Sequence, residues 1–323
     1  MSKSKVIVTR KWPTAVEQKL LELFEVELNA EDCPMSLDQL KEALRSADAV
    51  LPTVTDPINA EVLSAEPLRC KILGNFGVGF NHIDVRTAKA RGITVTNTPD
   101  VLTDCTADIA MLLMLMAARR GGEGERHVRS GSWTGWRPTH MLGTKVTGKT
   151  LGLIGFGRIA RAMAKKAHCG FDMPVIFFDP YPPPPEIIKE FDARQCASVE
   201  DLLRQADFVA LHCPGSRENY HLIDAERLSL MKPSAFLINT ARGDVVDNAA
   251  LIAALRNRQI AGAGLDVFEG EPDLDQGFLD LQNAVLLPHL GSASQETRVA
   301  MGLRVIENLT AFFAGQTPRD KVA

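Results

Sequence analysis

One ten-residue segment constrains the fold more than any other part of the chain. Leu151–Ala160 reads LGLIGFGRIA, in which an apolar run leads into two closely spaced glycines and then into a helical pattern. A buried strand, a tight turn and a helix in this order open a doubly wound α/β sheet. The segment therefore predicts a parallel sheet that is covered by helices on both faces.

The residue types of this turn predict a dinucleotide site. Gly155 permits the tight turn, Gly157 lets a pyrophosphate approach the backbone, and Ala160 stands where a third glycine is common. Alanine is still small enough for close packing of helix against strand. The free N–H groups at the start of the following helix attract the pyrophosphate.

Asp179 predicts which dinucleotide binds. It closes the next predicted strand, and a carboxylate there accepts hydrogen bonds from the ribose hydroxyls of NAD but repels the 2′-phosphate of NADP. No basic residue follows directly, because the next residues are Pro180, Tyr181 and then further prolines. We therefore expect NAD(H) to be preferred over NADP(H).

Short apolar or β-branched runs alternate with helical patterns along most of the chain. Strands are predicted at Lys5–Thr9, Ala49–Leu51, Lys71–Leu73, Thr94–Thr96, Thr150–Ile154, Val175–Asp179, Phe208–His212, Ala235–Asn239, Gly262–Val267 and Ala284–Leu287. A long helix is predicted at Asp100–Arg119, an irregular stretch at Glu123–Lys149, an exposed extended run at Pro182–Pro185, and a last helix at about Ser294–Ala314. The pattern predicts an α/β protein of two domains, with six strands in the second.

Composition narrows the range of partners. The 323 residues are 45% hydrophobic and 24% charged with a net charge of −4, which gives no reason to expect a nucleic-acid or membrane partner. The longest apolar run, Ile109–Ala118, is shorter than the roughly 20 residues that cross a bilayer. Six scattered cysteines without a CxxC pair predict no metal site and a reducing, cytoplasmic location.

Three polar residues follow predicted strands in the second half of the chain. Arg242 lies in INTARGDVVD, Glu271 in GLDVFEGEP and His289 in LLPHLGSAS. Because ligands bind at the carboxyl ends of the strands in open α/β sheets, we expect these side chains to share one site.

These residue types suit the reduction of a 2-keto acid. An arginine can bind the substrate carboxylate and carbonyl with two N–H groups. A histidine can donate the proton, and a carboxylate paired with it fixes its orientation. We assign these tasks to Arg242, His289 and Glu271, place Asp266 near the nicotinamide, and interpret the other histidines, His221 among them, as structural.

At these motifs the sequence resembles the D-specific 2-hydroxyacid dehydrogenase family over nearly its whole length. NFGVGFNHID (Asn75–Asp84) belongs to the resemblance, which implies that the backbone of the Phe76–Gly79 loop, with Val78 and Gly79, holds the substrate carboxylate. It also implies a Rossmann cofactor domain at residues 99–289, inserted into a flavodoxin-like substrate domain at residues 1–98 and 290–323.

The resemblance extends to further contacts and to a subgroup. It implies cofactor contacts from Thr106, Gly155, Gly157, Arg158, Ile159, Asp179, Cys213, Pro214, Thr240, Asp266 and Gly291. Residues 98–110 and 131–143 look most like glyoxylate/hydroxypyruvate reductases, in which a tryptophan of this arm reaches the neighbouring subunit's substrate pocket. Trp136 or Trp133 would take that place, in a homodimer formed through the cofactor domain and residues 121–149.

Two other functions stay open at this stage. Another substrate of the same class, such as 3-phosphoglycerate, is compatible with the same three side chains. A protein that keeps the fold but only senses NADH, as a corepressor does, is a hypothesis from a different class.

The sequence also departs from the family at Asn219-Tyr220, where threonine is usual.

Overall fold

The computed structural model describes residues 3–323, which form two compact units. Residues up to Leu102 together with Ser292–Ala323 make the first unit, and Thr103–Gly291 makes the second. In chain order the second unit is therefore an insertion into the first.

The first unit is built on a parallel sheet of five strands. These are β1 (Lys5–Val8), β2 (Glu25–Glu27), β3 (Ala49–Leu51), β4 (Ile72–Gly74) and β5 (Thr94–Thr96), and the helices that connect them are α1 (Thr14–Leu23), α2 (Leu37–Ser46), α3 (Ala60–Leu63) and α4 (Val85–Ala90). The strand order β2-β1-β3-β4-β5 is that of flavodoxin-like sheets.

The end of the chain covers one edge of this sheet. The N–H of Val322 donates to the carbonyl of Val95 at 2.7 Å, and Lys321 pairs antiparallel with Thr96. Strand β5 would otherwise expose a row of unpaired backbone groups, so the last residues act as a short extra strand.

The second unit contains a parallel sheet of seven strands. These are β6 (Leu151–Ile154), β7 (Val175–Phe178), β8 (Ala193–Gln195), β9 (Phe208–Leu211), β10 (Phe236–Asn239), β11 (Gly262–Leu265) and β12 (Ala284–Leu286). Its helices are α5 (Thr103–Ala118), α6 (Gly121–Arg129), α7 (Arg158–Phe171), α8 (Pro185–Glu190), α9 (Val199–Gln205), α10 (Ala225–Leu230) and α11 (Asn248–Arg256), and 3₁₀ turns lie at Gly243–Val245 and Gln276–Phe278.

The strand order of this sheet is β12-β11-β10-β9-β6-β7-β8. The direction of winding reverses between β6 and β9, which makes a crevice at their carboxyl ends. Alternate strand residues pack on opposite faces: Leu237 joins one apolar cluster, whereas Phe236 and Ile238 join the other. This two-sided burial explains why the central strands are continuously apolar.

The last helix, α12 (Gln295–Phe313), returns the chain to the first unit and packs against α1 and β4. Its N-terminus is capped by the Ser294 hydroxyl, which accepts from the Thr297 N–H at 3.2 Å. Gly302 lies against α1 so closely that an added Cβ would stand 2.4 Å from Cγ1 of Val16. The absence of a side chain at Gly302 is thus what lets the two helices touch.

The predicted α/β class with two parallel sheets is confirmed, but the prediction of six strands in the second half is wrong. The structure adds β8, and it also adds β2 in the first unit. Both are short edge strands of mainly polar, partly exposed residues. Such strands lack the apolar pattern on which strand prediction depends.

The prediction of an irregular stretch from Glu123 is also wrong at its start, because α6 forms there despite three glycines. An added Cβ at Gly121 would stand 3.4 Å from the Met116 backbone, so glycine lets α6 begin close against α5. Arg120, in the left-handed region with φ 55°, joins the two helices and binds both carboxylate oxygens of Glu123.

The prediction that the whole proline run is extended is also wrong, because Pro185 begins α8. Proline suits the first position of a helix, since the N–H group that it lacks would have no partner within the helix there.

Among residues 3–323, no helix combines the length and the apolar character that crossing a membrane requires.

Replacement of Gly302 by alanine tests the packing of α12 on α1. We expect the urea midpoint to fall, because overpacking costs about 1–3 kcal/mol and outweighs the gain of about 1 kcal/mol in helix propensity. Gly170→Ala is the matched control, since an added Cβ in α7 meets no described atom within 4 Å. The control should be slightly more stable than the parent, and a Gly302→Ala variant that gains as much would contradict the packing.

Candidate active site

Three loops leave the second sheet side by side at its carboxyl edge. Arg242 follows β10, Glu271 follows β11 and His289 follows β12, and these strands are direct neighbours in the sheet. The register aligns Asn239 with Leu265 and Leu265 with Leu286, so the three strands end at nearly the same level. The structure thereby brings together the loops that carry the three predicted catalytic residues.

Asp266 fixes the loop on which His289 stands. Its carboxylate accepts the N–H of Leu290 at 2.6 Å and that of Gly291 at 2.7 Å, and its carbonyl accepts the N–H of His289 at 3.0 Å. His289 has φ 55°, a left-handed conformation that costs a non-glycine residue about 1–3 kcal/mol. Burial raises the pKa of Asp266 even though these two N–H groups and the His289 charge act against the shift.

His289 and Glu271 form a direct pair. The Nδ1 atom of His289 lies 2.8 Å from Oε1 of Glu271, and both side chains are about one-third exposed. Burial alone would raise the pKa of Glu271, but the hydrogen bond and the charge of His289 outweigh it and hold that pKa below its ordinary value. A carboxylate is only an acceptor, so Nδ1 carries the hydrogen and Nε2 is the nitrogen left to exchange a proton.

Arg242 is electrostatically coupled to this pair. Burial lowers the pKa of Arg242, while the charges of Glu271 and Asp244 act in the opposite direction. Its guanidinium Nη1 donates to the carbonyl of Ala241 at 2.6 Å. A partly desolvated guanidinium that makes this hydrogen bond still retains further N–H groups for an anion.

Sequence reasoning missed two residues that shape the Arg242 loop. The side chain of Asn239 accepts from the Ala241 N–H at 3.0 Å and donates to the Arg242 carbonyl at 2.8 Å. A Cβ on Gly243 would stand 1.9 Å from the carbonyl carbon of Phe268. The Arg242 loop therefore packs backbone to backbone against the loop that carries Glu271. In the sequence, the only signal for Asn239 and Gly243 is that both flank the Thr-Ala-Arg segment of the Arg242 motif.

The glycine turn lies at the crevice where the sheet reverses its winding. Gly155 has φ 84°, and a Cβ there would stand 2.8 Å from the N atom of Cys213, just beyond β9. Gly157 forms the N-cap of α7, and Arg158 and Ile159 open that helix. The turn and the Cys213–Pro214 segment thus lie on opposite sides of the crevice.

Asp179 is anchored to the same turn. One carboxylate oxygen accepts the Phe156 N–H and the other accepts the Tyr181 N–H, both at 2.8 Å. Each oxygen still has lone-pair capacity for a further donor. The anchoring therefore gives a fixed position to a negative charge beside the glycine turn.

The residues around this crevice fit a dinucleotide. A Cβ on Gly157 would meet no heavy atom within 4 Å among the described residues other than its chain neighbours, which leaves room for a pyrophosphate. The buried hydroxyl of Thr240, next to Arg242, has no hydrogen-bond partner within residues 3–323. A buried hydroxyl of this kind can take a ligand atom as its partner. Thr106 lies against Gly291, 3.4 Å from an added Cβ.

The predicted carboxylate-binding loop lies in the first unit. Asn75 donates to the carbonyls of Gly77 and Gly79, both at 2.9 Å, and Asn97 donates to the carbonyl of Val78 at 2.8 Å. The N–H groups of Val78 and Gly79 donate to no residue in the described chain. The loop therefore has its acceptors satisfied and two donors free for an anion.

Other predicted or weaker candidates lie elsewhere in their units. Trp136 is 82% exposed and Trp133 is 54% exposed, on the segment after α6. Desolvation lowers the pKa of His212 to about 4, and its Nε2 atom contacts the Met163 sulfur at 3.3 Å, so we do not assign it a role as an acid. A groove of about 740 Å³, lined in part by His168, lies at the amino-terminal ends of β6 and β7, away from the strand ends that bear the site.

Comparisons with known proteins identify the family. The family model for the NAD-binding domain of D-isomer specific 2-hydroxyacid dehydrogenases matches residues 111–291. A glyoxylate reductase from Thermococcus onnurineus is 45% identical, with 98% of this chain and 95% of that protein covered. A glycerate dehydrogenase from Hyphomicrobium methylovorum is 38% identical, with 98% of each covered.

A solved structure gives the same result. The NADPH-dependent glyoxylate/hydroxypyruvate reductase from Sinorhizobium meliloti, in complex with NADP and malonate, superimposes with a TM-score of 0.89 at 34% identity, covering 100% of this chain and 97% of that one. The chain belongs to the D-isomer specific 2-hydroxyacid dehydrogenase family, whose members are oxidoreductases with an NAD-binding domain.

Replacement of Glu271 by glutamine tests its pairing with His289. Reduction needs the protonated imidazole, and a neutral glutamine no longer stabilises that cation or holds its Nδ1 atom with a charged acceptor. We expect kcat/KM to fall about tenfold or more, because a charge-assisted hydrogen bond is lost. Glu200→Gln, which removes a carboxylate paired with Arg227, is the control. An unchanged kcat/KM in a folded Glu271→Gln variant would contradict the pairing.

Proposed function

We propose that this protein uses NADH to reduce glyoxylate and hydroxypyruvate to the corresponding 2-hydroxy acids. The observation that carries the proposal is the 2.8 Å contact between His289 and Glu271, on loops adjacent to that of Arg242. Relatives named glyoxylate reductase and glycerate dehydrogenase support this substrate class.

His289 is proposed to donate the proton. The bound nicotinamide would supply the hydride to the carbonyl carbon, and the imidazolium Nε2–H would protonate the carbonyl oxygen. Glu271 holds Nδ1 and stabilises the imidazolium, so that the ring stays oriented while Nε2 loses its proton. In the oxidation direction the neutral imidazole accepts the proton back.

Arg242 is proposed to bind the substrate. Its partial desolvation strengthens the attraction to a carboxylate, and a planar guanidinium can hold carboxylate and carbonyl oxygens together. The free N–H groups of Val78 and Gly79 would bind an anionic group of the substrate, which makes the first unit the substrate domain and the second the cofactor domain. Fixed N–H donors of this kind stabilise the negative charge that develops on the carbonyl oxygen during the reaction better than water does.

NADH is proposed as the preferred cofactor over NADPH. The Asp179 carboxylate is fixed by two backbone N–H groups beside the glycine turn, where it would repel a 2′-phosphate. The Sinorhizobium meliloti relative is NADPH-dependent, so this preference concerns the present chain and does not extend to the whole group.

A homodimer is proposed from the exposed apolar residues near α6. Between residues 112 and 142 five large hydrophobic side chains are exposed, namely Leu112, Val128, Trp133, Trp136 and Leu142, and exposed apolar side chains of this kind are used in protein interfaces. Trp136 would then reach the substrate of the partner subunit. Sedimentation of the purified protein measures the mass of the assembly and so tests the dimer.

A reducing, cytoplasmic location is also proposed, because all six cysteines are free.

A steady-state panel of glyoxylate, hydroxypyruvate, pyruvate and phosphohydroxypyruvate, each with NADH and NADPH, tests the proposed function. We expect the highest kcat/KM for glyoxylate or hydroxypyruvate with NADH, and a loss of about 100-fold or more in Arg242→Ala. Preference for phosphohydroxypyruvate would favour the phosphoglycerate hypothesis. NADH binding without turnover of any acid would favour the corepressor-like hypothesis.

Replacement of Asp179 by alanine tests the cofactor preference. Loss of the negative charge should raise the ratio of kcat/KM with NADPH to that with NADH by about tenfold, because the repulsion of the 2′-phosphate disappears. The thermal midpoint of the variant shows whether loss of the two backbone hydrogen bonds disturbs the turn. An unchanged ratio in a folded variant would remove the basis for NADH preference.

A further inference from the structure

Three side chains outside the proposed catalytic residues form a compact cluster in the second unit. The hydroxyl of Tyr220 donates to Oε1 of Glu269 at 2.9 Å, and Nε2 of His221 donates to Oε2 at 2.9 Å. The Tyr220 and His221 rings stack with centroids 3.9 Å apart. Both carboxylate oxygens of Glu269 are thus held by two rings that support each other. We name Tyr220, His221 and Glu269 the Glu269 clamp.

The two rings are fixed to the segment that follows Arg242. The N–H of His221 donates to the carbonyl of Asp244 at 2.8 Å, and Ile223 forms a parallel bridge with Val246. His221 has φ 49°, the left-handed conformation that turns its ring back toward the loop after β11. The clamp therefore has a rigid base on the Arg242 side.

Glu269 stands two residues before Glu271 on the loop after β11, and the intervening Gly270 has φ 78°. The loop is held on one side by the backbone contact between Gly243 and Phe268 and on the other by the Glu269 clamp. Only a tight glycine turn separates the clamped residue from the residue that contacts His289. The Glu269 side chain and the Glu271 carboxylate are thus borne by the same short loop.

We propose that the Glu269 clamp positions Glu271 against His289, which makes Tyr220 and His221 positioning residues for proton transfer. The proposal rests on the proposed role of the Glu271–His289 pair and adds residues that do not touch substrate or cofactor. In this proposal the clamp sets the position of the Glu271 carboxylate relative to Nδ1 of His289, and it contributes little to the stability of the unit.

The exposure of the clamp separates positioning from stability. The side chains of His221 and Glu269 are 29% and 32% exposed, and ion pairs at such sites add little to the free energy of unfolding. A purely structural role therefore predicts an almost silent variant. A positioning role predicts a kinetic defect with a nearly unchanged thermal midpoint.

Tyr220→Phe removes one hydroxyl and keeps the ring stack. With glyoxylate we expect kcat/KM to fall about threefold to tenfold, less than the full cost of a hydrogen bond to a charged group because Tyr220 acts on Glu271 only through the loop, while the Kd for NADH stays unchanged. In a Glu271→Gln background the same change should have no further effect, because the residue through which Tyr220 acts is already altered. Glu200→Gln, at 35% exposure and paired with Arg227, is the matched control.

A second measurement does not depend on activity. Carboxyl ¹³C NMR, assigned with the Glu271→Gln spectrum, should show that Tyr220→Phe and Glu269→Gln raise the pKa of Glu271 toward its ordinary value, whereas Glu200→Gln does not. An equal kinetic loss in the Glu271→Gln background, or an unmoved Glu271 titration, would overturn the proposal. Absence of keto-acid turnover in the parent protein would instead defeat the proposed function, and the NMR titration would still test the clamp.

Discussion

The carboxylate of Asp266 holds the chain segment on which the proposed proton donor stands. Leu290 and Gly291 direct their N–H groups at this one side chain, and the His289 N–H binds the carbonyl of the same residue. These bonds oppose the strain of the left-handed His289 backbone. Because Asp266 directly follows β11, the sheet itself sets the position of the loop that carries the imidazole.

A second constraint links the remaining two residues of the site. Gly243 contacts the Phe268 backbone so closely that no side chain fits between them, which fixes the Arg242 loop against the Glu271 loop. The substrate-binding and proton-transfer functions proposed for these loops are therefore mechanically coupled. Preorganisation of this kind lowers the cost of aligning reacting groups.

Features that depend on nearby residues could be predicted from the sequence. The glycine turn at Gly155 was predictable because strand, turn and helix are contiguous, and the loops of Arg242 and His289 were predictable because each follows an apolar strand. Strand β8 was missed because its residues are polar. The pairing of Tyr220 with Glu269 spans 49 residues and leaves no periodic signal, so only the folded chain could reveal it.

The three proposed catalytic residues and the glycine turn all belong to Thr103–Gly291, a single uninterrupted stretch of chain. The Val78–Gly79 loop belongs to the other unit. The residues proposed to transfer the proton and the N–H groups proposed to bind an anion at Val78 and Gly79 thus belong to different units. A chimera that takes both the residues up to Leu102 and Ser292–Ala323 from a relative would replace the first unit as a whole and leave Arg242, Glu271 and His289 in their original surroundings within the second unit.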